Sequence, residues 1–380
     1  MRKNFLIVIM CSLLIFTGCN KNSNQKIKNE NNVNNSSNDT KDSGSKVSGN
    51  IEKYDLEFYE TFDTVVDVAI YSDDKDFAEK NLQYTKKRFE ELHKLFDNYK
   101  NYDGITNVKT INDNAGIKGV VVGDVLFNLI KNSVDDNNII SHNTDVAIGP
   151  VTELWNSYRE LYESGKTASE VKEIKGSTLP KNSELERLRA LTNINNIKLN
   201  EEKKEVYLEK EGMKLDLGAT AKGYATEIVA KELEERGVTS GIISAGGNVR
   251  IIGSPGDGRE FFSIGIQNPD LENENSILLT MKLKDTSAVT SGDYQRYFEV
   301  DGTRYCHIID PNTLKPSRRL KSVTVINKDS GLCDFLATAA FNSSNEEIES
   351  LAKKTNSAII WVDENMKLNY TDSAKEYIKD

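Results

Sequence analysis

Between Asn20 and Asn50 the chain holds only three aliphatic residues, Ile27, Val33 and Val47, among Asn, Ser, Lys, Asp and Gly. A stretch so poor in apolar side chains cannot bury enough surface to offset the entropy of ordering it. The core must therefore be drawn from Ile51 onward, and the 380 residues divide into a front end, a tether over 19–50 and one folded body over 51–380.

The front end has its own logic. Arg2 and Lys3 precede an apolar run from Phe5 to Phe16, of signal-peptide length and well short of the ~20 residues a spanning helix needs. It closes on Phe16-Thr17-Gly18-Cys19, which resembles a bacterial lipobox with Phe16 in place of the usual Leu; a plain secretory signal is the alternative. The expectation is removal of 1–18, lipidation of Cys19, and a body tethered to the extracytoplasmic face of the cell membrane. Diacylation plus N-terminal acylation gives more than the single chain that binds only marginally.

Net charge is -10, and setting aside Arg2, Lys3 and a tether of net +2 leaves -14 on the body. An acidic body has no source for a basic, phosphate-tracking surface, so nucleic acid is excluded as an expected partner. Cys306 and Cys333 are the cysteines of the body; they permit one disulfide without requiring it and lie in no metal-ligand spacing.

Periodicity outlines the elements. Phe58 to Tyr71 reads as a strand pair or one long bent strand with Thr64 at its middle. Asp76 to Tyr99 carries Phe77, Leu82, Phe89, Leu92, Leu95 and Phe96 on one helical stripe, with His93 off it as a solvated residue. Further helices are expected over 123–132 and 183–194, with Asp145, a Gly149-Pro150 turn and a loop residue, His142, between them. Beyond Asn200, short strands over 205–208, 241–244, 249–253, 262–267 and 277–283 alternate with glycine-rich turns and one strong helix reaching Glu234. Asp301-Gly302 between YFEV and TRYCHII marks a two-residue hairpin. That register sets Phe298 opposite Tyr305 and Arg296 opposite His307, with Cys306 on the other face.

Four clusters hold chemistry-bearing residues. Asp216-Leu-Gly-Ala-Thr-Ala-Lys-Gly-Tyr-Ala225 is a strand end, small residues, then a helix; amides and dipole there favour an anion, with Lys222 adding charge. Ser244-Ala-Gly-Gly-Asn248 allows positive φ at Gly246 and Gly247 and close ligand approach. Thr290-Ser291-Gly292-Asp-Tyr294 and, across the hairpin, His307-Ile-Ile-Asp310-Pro311 bring hydroxyls, a carboxylate and an imidazole together. Asp334 and Thr338 are i and i+4 on a helical pattern, oxygen ligands that suit Mg2+, which otherwise prefers water and phosphate oxygens. Taken singly, each has a plain structural alternative: a tight helix-sheet turn, an ordinary hairpin turn, a structural histidine, an N-terminal Asp with a packed Thr.

In this order and spacing, DLGATAKGYA, SAGGN, TSGDYQRYFEVDGTRYCHIIDPNTLKP and DFLATA resemble the ApbE family of FAD:protein FMN transferases, over roughly 58–367. The resemblance implies a single-domain α/β (α+β) fold of the T-fold-like type, with mixed or antiparallel sheets and packed helices. It implies that FAD and Mg2+ are bound and that FMN moves to a Thr or Ser hydroxyl of a partner protein, releasing AMP. By the same resemblance Asp334, Thr338 and backbone oxygen near Ala219 hold the metal. Thr290, Ser291, Gly292, His307 and Asp310 form the pyrophosphate and catalytic segment, and Thr64, Asp145, Lys222, Gly246 and Gly247 contact FAD.

Three motifs depart from the family pattern. Phe62-Asp63-Thr64 stands where Met-Gly-Thr is usual, Ala219 replaces a Gly, and Leu314 replaces the Gly of DPxTG. The expected chemistry is in-line attack on the FMN-side phosphorus, with His307 as base and Asp310 orienting it or touching substrate. Acceptors are expected to carry an S/T-G-A-T type motif, with membrane subunits of Rnf- or Nqr-type complexes foremost. A metal-dependent FAD pyrophosphatase and a non-catalytic FAD-binding lipoprotein are the rival readings.

Overall fold

A computed structural model describes residues 50–379. The apolar run, Cys19 and nearly all of the tether lie outside the described residues, and no described helix is long and apolar enough to cross a membrane.

An eight-stranded sheet organises the molecule, in the spatial order Glu52–Thr61, Thr64–Ser72, Ser240–Ala245, Asn248–Gly253, Ser287–Gly292, Leu320–Asn327, Ala358–Asp363, Leu368–Tyr370. Every neighbouring pair in it is antiparallel. Side chains alternate between faces along each strand. Val66, Val68, Ile243, Val289 and Val323 face a helical layer, while Ala69, Ile242, Val249, Ala288 and Ile326 meet Phe262 and Ile264 of a separate two-stranded hairpin.

The helical layer follows from its stripes. Lys75–Phe96 starts where Asp74 accepts from the Phe77 N–H and buries Leu82, Phe89, Leu92 and Phe96. Ala221–Glu235 is the strong helix expected after the DLGATA segment, and Ser330–Phe341 begins at Asp329, which accepts from the Leu332 N–H. Helices Asp124–Ile139 and Asn182–Arg189 overlap the expected stretches but differ at their ends. Residues 149–163, expected only as a Gly-Pro turn running on, are helical, because Pro150 at the first turn gives up an N–H that no helix would use there.

Of the two readings for Phe58 to Tyr71, the strand pair is the one found. Phe62 and Asp63 form the turn at φ 54° and 50°, both in the region a type I′ turn demands. His93 corrects the expectation of a solvated residue: its Nδ1 accepts from the Phe62 N–H at 3.2 Å and its ring lies 5.5 Å from that of Phe62. Cys306 and Cys333 are free and buried, with Sγ of Cys306 3.4 Å from Ser317 O and Sγ of Cys333 3.8 Å from Asn327 O.

Candidate active site

One end of the sheet gathers the turns. Gly246 and Gly247, at φ 56° and 96°, link Ala245 to Asn248, and a β-carbon on Gly246 would come against the Thr64 side chain. The Thr64 side chain and the glycine turn are thus in contact. Asn248, which sequence reasoning left out, points into the helical layer; its side chain hydrogen-bonds Asp334, and its buried Oδ1 has no partner.

Above that end two helices cross. The Gly223 N–H, a first-turn donor with no acceptor in its own helix, donates to Asp334 Oδ2 at 2.8 Å. Burial pushes the Asp334 carboxyl up, opposed by the Lys222 charge, the Gly223 amide and Asn248. Thr338, one turn further along, is half-buried, and its hydroxyl makes no hydrogen bond among the described residues. By contrast, Thr85, Thr226 and Thr355 each donate to the carbonyl four residues back. A carboxylate oxygen, a free hydroxyl and the Ala219 carbonyl just ahead of the Thr220 N-cap suit a hard cation, although the described residues contain no group of three or more His, Cys, Asp or Glu able to hold a metal.

His307 arrives from the expected hairpin. Tyr297–Val300 pairs with Thr303–Cys306, Phe298 lies opposite Tyr305, and the His307 N–H donates to Arg296 O at 3.0 Å. A stack steadies it: Tyr162, Phe298, Tyr305 and Trp155 lie ring on ring at 5.0, 5.3 and 5.9 Å. His307 is half-buried, and desolvation, then the charges of Arg296, Lys222 and Arg159, lower its pKa to about 3. It is therefore neutral across the physiological range. Lys222 is common to both groups, since its charge acts on His307 and on Asp334.

The remaining expected residues divide. Ser291 shares the helix-facing side with Val289, but Thr290 projects to the opposite face, where its hydroxyl lies 2.8 Å from Thr324 Oγ1. The two hydroxyls face opposite sides of the sheet because successive strand residues alternate. Gly292 is buried at the strand end, where a β-carbon would strike the Tyr294 ring. Asp310 Oδ1 accepts from the Asn312 N–H at 2.8 Å, bracing its own turn. Asp145 accepts from the Ala147 N–H, has no cation beside it, and is raised to about 6 by burial. The preceding Thr144 hydroxyl donates to Phe335 O, tying Asp145 to the turn that carries Asp334.

Tyr99 and Arg159 join the site without a sequence motif pointing to them, while Arg296 is the residue opposite His307 in the hairpin. The Tyr99 ring is 64% exposed among Asp216, Arg159 and Asp63, with Asn156 at 3.4 Å from its hydroxyl. Arg296 donates to Asp63 O. An aromatic left exposed beside paired charges was the signal available, and it carries little weight before the fold assembles it.

The ApbE family matches residues 62–361. The chain belongs to the ApbE family. Among its relatives, the FAD:protein FMN transferase of Klebsiella pneumoniae is 31% identical over 281 residues, covering 74% of this chain and 79% of that protein. The Vibrio cholerae protein of the same name is 27% identical over 292 residues, covering 75% and 79%. The crystal structure of the ApbE protein from Thermotoga maritima superposes with a TM-score of 0.75 at 26% identity, over 87% of this chain and 100% of that one.

Within the ApbE family pattern, the departures become legible. Asp63 and Leu314 adopt φ of 50° and 58°, so the left-handed turns are kept without the glycines usual there. At Leu314 the side chain is fully buried, and its carbonyl accepts from Trp155 Nε1 at 2.9 Å, which outweighs the roughly 1–2 kcal/mol of left-handed backbone.

Proposed function

We propose that this chain is an FAD:protein FMN transferase, as its relatives are named, which moves FMN from FAD to a Thr or Ser hydroxyl of an acceptor protein through a phosphoester bond. The observation that carries the reading is Lys222 acting on both a neutral imidazole and a buried carboxylate. In a body of charge -14, Arg159, Lys222 and Arg296 meeting around His307 make a local anion site.

Asp334, Thr338 and Ala219 O are the group that would hold Mg2+, which when bound neutralises pyrophosphate charge. The chain's own residues do the rest. Lys222, Arg159 and Arg296 hold the two phosphates, and the exposed Tyr99 ring offers a flat apolar face to an aromatic ligand. The acceptor hydroxyl forms a bond to the FMN-side phosphorus as the bridging P–O bond breaks. AMP leaves with that electron pair, and the hydroxyl proton passes to His307. Anionic substrate offsets the three cations and so strengthens the imidazole as a base when it is needed.

The acceptor we propose is a membrane flavoprotein subunit with an S/T-G-A-T type motif, Rnf- or Nqr-type subunits foremost. Lipidation at Cys19 would hold the enzyme on the extracytoplasmic face beside it. Soluble body, FAD, Mg2+ and such a subunit test this by covalent fluorescent flavin on the acceptor. Free FMN would instead mark a pyrophosphatase, and intact FAD a binding protein. Asp334→Ala is expected to stop transfer with the fold retained, at a cost of about 1–3 kcal/mol because the buried Gly223 N–H loses its acceptor; full activity would remove the metal assignment.

A further inference from the structure

Two buried carboxylates cap one another's helices. Gly223 lies in the first turn of Ala221–Glu235, where Thr220 supplies no side-chain cap, and its N–H is taken by Asp334 of the facing helix. One turn further on, Glu227 Oε2 accepts at 2.9 Å from the N–H of Ser330, the first residue of Ser330–Phe341. Each helix so satisfies an N-terminal donor that the other leaves orphaned, with negative charge at the positive end of the dipole. The rungs run antiparallel, 223 to 334 and 227 to 330. One rung would fix a distance, whereas two spaced by a turn fix both the slide and the rotation of one helix against the other.

Glu227 is 6% exposed, and its partner is the equally buried Arg250, whose Nε lies 3.5 Å from Oε2. The same guanidinium reaches Glu234 at 3.0 Å and Asp285 at 3.5 Å, and Lys231 lies 3.2 Å from Glu227 Oε1. None of these groups is among the causes that shift His307.

We infer that Glu227 is a positioning residue, holding the Ser330 helix in the register at which Asp334, Thr338 and the Ala219 carbonyl meet one cation. The inference rests on the metal reading above. Supporting partners of metal ligands are typically worth 10- to 100-fold in metal affinity, and here the support is the rung at Ser330.

The test is Mn2+ affinity by electron paramagnetic resonance in the presence of ADP, read beside thermal stability, for wild type, Glu227→Leu, Glu227→Gln and Glu227→Leu/Arg250→Met. Glu227→Gln keeps an acceptor oxygen for Ser330 and should stay within about threefold of wild type. Glu227→Leu should lose about tenfold or more. The double variant removes the buried guanidinium that loses its buried carboxylate partner in the single one and keeps only the more exposed Glu234 and Asp285, and should keep its melting temperature while losing the same affinity. A folded double variant that binds Mn2+ like wild type overturns Glu227's role. Wild type that binds no Mn2+ overturns the metal reading itself.

Discussion

Gly223 lies so close to Ser330 that a β-carbon on it would come within 2.3 Å of Ser330 O and 2.5 Å of Asp334 Cβ. The small residue of the KGYA segment is thus required by a helix more than a hundred residues away in sequence, where backbone cannot yield cheaply.

Gly223→Ala is accordingly expected to destabilise the protein. The helix propensity gained is about 1 kcal/mol, while overpacking against backbone costs typically 1–3 kcal/mol and separates the Gly223–Asp334 pair. Denaturant unfolding measures this, with Gly123→Ala, where nothing lies within 4 Å, as the comparison. Equal stability in both variants would contradict the close contact.

Removing Lys222 or Arg296 charge should raise the His307 pKa, because both now disfavour the protonated ring. Lys222→Met and Arg296→Met are read by NMR titration of the imidazole, which should move up from about 3 toward its ordinary 6.5. The unfolded chain binds this proton near that ordinary value, so stability falls as pH drops below it toward the folded value. The fall should be smaller in the variants.

Leu314→Gly opposes two effects. Relief of left-handed backbone is worth about 1–2 kcal/mol, but truncating a fully buried leucine costs about 2–5 kcal/mol. Burial wins, and the variant should unfold at lower denaturant, with the Trp155 emission altered because its Nε1 partner is the Leu314 carbonyl.

Chelation should weaken FAD binding as well as turnover, since a body of -14 must offset the pyrophosphate with few cations. Equilibrium binding with and without excess EDTA measures it; unchanged affinity would remove the metal from the binding site.

Sequence alone determined what is local or periodic. Asp301-Gly302 imposed its turn and therefore the opposition of Phe298 to Tyr305 and Arg296 to His307. The stripe of Lys75–Phe96 imposed a helix, and the order of small-residue motifs pointed to the ApbE family, because turn geometry and side-chain period act over a few residues. The tertiary structure decided which groups meet. Gly223 takes Asp334, His93 takes Phe62, Thr290 turns to Thr324 away from the helices, and the charges of three cations from separate elements act on His307. Those adjacencies depend on strand order and helix crossing in the assembled sheet. No local period encodes them, and they set the charge state of the imidazole and the reach of the carboxylate.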